Sequence, residues 1–60
     1  MMTVWVTDEY TYQNFFFPIG KEEKVEKYLK EQGWEIMEGI GVTNKPNLLY
    51  FTIRRRNRNE

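Results

Sequence analysis

Sixty residues is near the lower limit for a chain that folds alone, because a domain of this size buries only roughly 60% of the surface its unfolded form exposes. The sequence holds no Cys, His or Ser, which removes disulfides, the usual zinc-ligand sets, thiol and serine nucleophiles and imidazole acid–bases together. The expectation is a protein that is not an enzyme and carries no metal or cofactor. Nine Lys and Arg balance nine Asp and Glu, so the overall charge lacks the basic footprint of a nucleic-acid binder.

Residues 3–7, Thr-Val-Trp-Val-Thr, are β-branched or aromatic throughout, the composition that suits a pleated, half-buried surface. They read as a first strand. Asp8 and Glu9 break it, and residues 10–17 resume a strand that Pro18 ends. The two should pair as a hairpin, although no Asn-Gly or Asp-Gly marks its turn.

From Lys21 to Gln32 the apolar period changes from two to 3.6. Val25, Tyr28 and Leu29 stand at i, i+3 and i+4 among Lys and Glu, which predicts one amphipathic helix. Gly20 is the candidate N-cap, and Gly33 stands where a left-handed residue closes a helix. Glu23 with Lys27 and Glu26 with Lys30 have the favourable order for ion pairs. Glu22 and Glu26 are the one conceivable catalytic carboxylate pair, but the lysines around them make a solvated face the simpler account.

Trp34 and Ile36 begin a third strand that runs through Val42, with Gly39 or Gly41 expected at a bulge or a close backbone approach. Residues 43–47 read as a loop. Leu48 to Arg54 form a fourth strand, with Leu49, Phe51 and Ile53 on one face and Leu48, Tyr50 and Thr52 on the other. The predicted architecture is a single α+β domain of order ββαββ, an antiparallel sheet with one helix packed on one face.

A helix with so narrow a stripe covers one side of a four-stranded sheet. Ten aromatic rings exceed what that side needs, so an aromatic surplus should remain on the other, and apolar surface of that kind marks an interface. Phe15 and Phe17 are assigned to the core; Trp5, Tyr10, Tyr12, Phe16 and Tyr50 are the expected interface anchors, since Trp and Tyr dominate binding hot spots.

Residues 54–60 carry a net charge of +3 on an otherwise neutral-to-acidic chain. Arg54, Arg55, Arg56 and Arg58 are expected either as a charged rim steering a partner or as contacts to nucleic acid, with residues 55–60 forming a flexible basic tail.

The stretch from Val25 through Gly33-Trp34-Glu35-Ile36, followed by Leu49 to Arg55, resembles small bacterial and phage domains of unknown function. In these a helix ends in Gly-Trp-Glu, enters a strand and closes with an aromatic strand running into Lys/Arg. The resemblance spans about half the chain; it implies an α+β fold and carries over no active residue.

Short length and missing Ala, Ser, Cys and His also fit a phage-encoded accessory protein that binds and blocks a host protein. The functional expectation is therefore a non-catalytic protein-binding module, a homodimer with a second protein as target. A single-stranded nucleic-acid binder using the Arg cluster is the alternative. No membrane contact is expected, and the absence of a signal-like or membrane-spanning run points to the cytoplasm.

Overall fold

A computed structural model describes residues 3–58. Six elements follow one another: β1 (Val4–Val6), β2 (Tyr10–Pro18), α1 (Glu22–Glu31), β3 (Glu35–Ile36), β4 (Gly41–Val42) and β5 (Leu48–Arg56). All strand pairings are antiparallel, in the order β1-β2-β5-β3, with β4 also paired to β5. This is the expected α+β fold, with one helix on a sheet of five strands.

The fifth strand arises because the predicted third one is interrupted. Ile36 pairs with Ile53 and Gly41 with Tyr50, so residues 37–40 face only residues 51 and 52 of β5. Two surplus residues must loop out, and Gly39 absorbs the turn at φ +93°, a conformation that a side chain disfavours. Gly41 answers a different need. A Cβ there would run into the Tyr50 ring, which lies directly over it.

Hydrogen bonding at the helix C-terminus explains the abrupt entry into β3. The Trp34 amide donates to the Leu29 carbonyl and the Gly33 amide to Lys30, both at 3.0 Å, with Gly33 at φ +87°. That six-to-one and five-to-two pair is a Schellman closure, and Trp34 and Leu29, the residues it brings together, join the same core. At the other end the cap is Lys21, not the expected Gly20, and no side chain caps it. Gly20 instead takes φ +93° in the turn leading in, one residue too early to cap. Of the two predicted ion pairs on α1, Glu26–Lys30 is formed at 3.4 Å.

Phe17, Leu29, Phe51 and Ile53 make the buried core, with Phe15, Val25, Trp34, Ile36 and Leu49 packed around them. Odd-numbered residues of β2 and β5 thus face the helix. Tyr28, expected in the helix stripe, is 54% exposed; Val25 and Leu29, one turn apart, fill the contact, and Trp34 and Ile36 occupy the space a wider stripe would need.

The last strand extends beyond its predicted end. Arg55 and Arg56 continue the ladder opposite Thr11 and Tyr10, so they belong to the sheet and not to a flexible tail. Asn57 then ties down the β1–β2 turn: its amide donates to the Glu9 carbonyl at 2.8 Å, its Nδ2 to the Thr7 carbonyl at 2.8 Å, and its Oδ1 accepts from the Thr11 hydroxyl at 2.6 Å. Within that turn the Thr7 amide donates to the Tyr10 carbonyl, and the Tyr10 amide donates to the Thr7 hydroxyl. The Thr7 carbonyl is thereby left for Asn57. The remaining tail residues Asn59 and Glu60 lie outside the described residues.

Candidate functional site

Alternation along the strands sends Trp5, Tyr10, Tyr12, Asn14, Phe16, Tyr50, Thr52, Arg54 and Arg56 to the face opposite the helix. All five aromatic anchors read from the sequence therefore share one surface. Across the strands they form rows: Trp5 beside Tyr12, Tyr12 beside Arg54, and Arg54 beside Glu35 in one; Phe16 beside Tyr50, and Tyr50 beside Gly41, in another.

The rings are not loose on that surface. Trp5 and Tyr12 stack in parallel with centroids 5.4 Å apart, and Tyr10 tilts against Tyr12 at 6.0 Å. Phe16 and Tyr50 meet at 5.4 Å, tilted by 53°. Each is half-buried by its neighbours. The large apolar side chains most open to solvent are instead Val4, Val6, Ile19, Tyr28, Ile40 and Val42.

The arginines divide by parity. Arg54 donates from Nε to Glu35 Oε1 at 2.7 Å and lies over the Tyr10 ring, with Cζ 4.1 Å from its centroid. Arg56 covers the same ring at 4.9 Å, donates to the Tyr10 hydroxyl at 2.9 Å and approaches Glu9 at 3.7 Å. Arg55 points to the helix face, where it stacks on Trp34 at 4.2 Å and donates to the Gln32 carbonyl at the end of α1. Arg58 is exposed beyond the strand.

Electrostatics follow from these contacts. The hydrogen bond from Arg54 holds the Glu35 carboxyl below its ordinary 4.5. Glu35 first, and the Tyr12 hydroxyl second, push the Arg54 guanidinium further toward its charged form.

Midway along the face Thr52 donates to Asn14 Oδ1 at 2.9 Å. Beyond it, Phe16, Tyr50 and Asn14 form one wall of a groove of about 460 Å³, closed on the other side by Val42, Thr43, Asn44, Lys45 and Leu48. The loop holds its shape because the Thr43 hydroxyl donates to the Leu48 carbonyl at 2.9 Å and accepts from the Lys45 amide at 3.1 Å. Its volume falls within the range of small-ligand sites, larger than the chain's size leads one to expect.

Sequence reading placed Thr52 beside Tyr50 and residues 43–47 in a loop but gave neither a part in the site, and it missed Glu35 and Asn14. Glu35 was within reach, because it alternates with Trp34 and Ile36; the groove depends on the loop of residues 43–45 standing opposite Phe16 and Tyr50, which no local pattern encodes. The surface offers flat rings, amides and neutralised guanidiniums, the chemistry of non-covalent recognition. Among the described residues no helix is long and apolar enough to cross a membrane. No family model, curated protein or solved structure matches the chain.

Proposed function

We propose that this chain is a non-catalytic protein-binding module that works as a homodimer and engages another protein through the open face of its sheet. The setting proposed is that of a small phage-type accessory protein that binds and blocks a host protein in the cytoplasm. One observation carries the reading: Trp5, Tyr10, Tyr12, Phe16 and Tyr50 line the single sheet face that α1 does not cover. Rings already locked by stacking and by Arg54 lose little freedom on docking, which favours affinity.

Single-stranded nucleic acid is the weaker reading. Arg54 and Arg56 do share the aromatic face, a combination that grips bases and phosphates. Both, however, are engaged with Glu35, Glu9 and Tyr10, and Arg55 lies on the opposite side. A phosphate would have to displace carboxylates already in contact.

Affinity capture from the native host, comparing wild type with Phe16→Ala and Tyr50→Ala, tests the proposal. Loss of a specific captured protein by at least about tenfold, with circular dichroism unchanged, is expected for removal of a hot-spot ring. Equal capture by all three would overturn it. Oligonucleotide binding whose salt slope falls on replacing Arg54 and Arg56 would transfer the function to nucleic acid.

A further inference from the structure

The homodimer proposed above has a specific joint, and the geometry points to it: we propose that two copies join through antiparallel pairing of their β1 edges, Val4 against the second copy's Val6, across a two-fold axis at Trp5.

Hydrogen-bond parity identifies the edge. The Asn14 amide donates to the Thr3 carbonyl and the Thr7 amide to the Tyr10 carbonyl, each at 2.8 Å. Residues 3, 5 and 7 therefore turn their peptide groups inward to β2. In an antiparallel ladder the alternate residues turn theirs outward, so Val4 and Val6 present two amides and two carbonyls along the margin of the sheet. Their side chains stand on the helix side, 48% and 66% exposed. Nothing within β1 guards this margin: it has no Pro, no charged residue and no bulge, the devices that keep sheet edges apart. The opposite margin differs, since residues 37–40 loop out between β3 and β4 and break it.

Self-pairing also fixes the register. Outward residues must meet outward residues, which excludes every one-residue slip. Pairing Val4 with the partner's Val6, and Val6 with the partner's Val4, satisfies all the outward groups of both three-residue strands with four hydrogen bonds. Trp5 then faces its own symmetry mate as a non-hydrogen-bonded pair, with Cα atoms about 4.5 Å apart and the side chains close. The Trp5–Tyr12 stack would run on into its copy, and the two open faces would join as one surface. Charge does not oppose the joint, because Asp8 and Glu9 lie in the turn beyond the paired residues.

A three-residue edge buries less than a standard interface, so the dimer is weak and concentration-dependent. Sedimentation between about 10 μM and 1 mM should show the mass rising from 7.4 kDa toward twice that value. Val6→Pro removes one outward amide and no inward bond, and Val4→Lys adds a guarding charge at a half-exposed position; both should remain monomeric over that range. Oxidised Trp5→Cys, the sole thiol in the chain, should form a disulfide dimer, because the pair separation lies within disulfide reach. Thr7→Cys, two residues off the axis, should not.

A wild type monomeric throughout, a dimer that survives both Val6→Pro and Val4→Lys, or crosslinking at position 7 but not at 5 would overturn the edge pairing. None of these results touches capture of a host protein through Phe16 and Tyr50. Failure of the joint is thereby separable from failure of the binding role, and Val4→Lys and Trp5→Cys remain decisive should Val6→Pro not fold.

Discussion

The two faces of this sheet are built from the same strands and bury aromatic rings by different means. Toward α1, Phe17, Phe51 and Ile53 meet Leu29 in a dry core in which each is at most 7% exposed. On the other side Phe16 and Tyr50, one residue away in sequence, are covered only by each other and by flanking side chains. One face relies on a second layer. The other relies on pairwise ring contacts, two guanidiniums over the Tyr10 ring and the carboxylates of Glu35 and Glu9. A small chain can thus hold many rings with only one helix, but it leaves half of them where a partner can reach.

Replacing a ring or branched chain on each side should separate the two modes. Ile53→Ala opens a cavity in the helix-covered core and should cost about 3 to 4 kcal/mol in a denaturant titration, enough to unfold much of a domain this small. Gly41→Ala should come next, at about 2 kcal/mol, because the added methyl must push Tyr50 off β4; it would also reshape the groove and so couple stability to partner affinity. Phe16→Ala removes one tilted ring pair and should cost about 1 kcal/mol of stability while reducing partner capture far more. If Phe16→Ala proved as destabilising as Ile53→Ala, the open face would be a second core and the contrast would fail.

The smallest effect is expected at Glu35. Its carboxyl is held below 4.5 in the folded chain, so its contribution is present at neutral pH and is lost as pH falls through the folded value. The stability difference between wild type and Glu35→Gln should therefore fade as the pH falls below 4.5. A difference that persisted in acid would assign Glu35 a packing role instead of an electrostatic one.

Strand alternation made much of this readable in advance. Val4 to Val6, Tyr10 to Phe17 and Leu48 to Arg54 are long or β-branched enough to fix parity within each strand, which groups Tyr10, Tyr12 and Phe16; the registers that bring Trp5 and Tyr50 to the same side appear only when β1 and β5 pair with β2. Gly33 could be assigned because a left-handed residue was needed to close the helix, and Gly39 and Gly41 because a bulge or a close approach was expected there. The helix cap was misread at Gly20, since Lys21 supplies only backbone geometry there. Arg55 and Arg56 were misread because a run of like charges looks like solvent-seeking chain, whereas pairing with Thr11 and Tyr10 is a property of distant sequence. The groove was invisible for the same reason: Phe16 and Tyr50, which form one of its walls, meet only when β2 pairs with β5.

Asn57 gives the molecule a temporal order. The residue that locks the first turn is synthesised after every strand of the sheet, and β5, which precedes it, is the strand against which β2, β3 and β4 all assemble. Until β5 emerges from synthesis, the nascent chain can form only a helix and an isolated hairpin, neither of which is stable alone. The sheet is therefore assembled after translation of its hub, and a product truncated before Leu48 has no partial fold to fall back on and remains open to proteolysis.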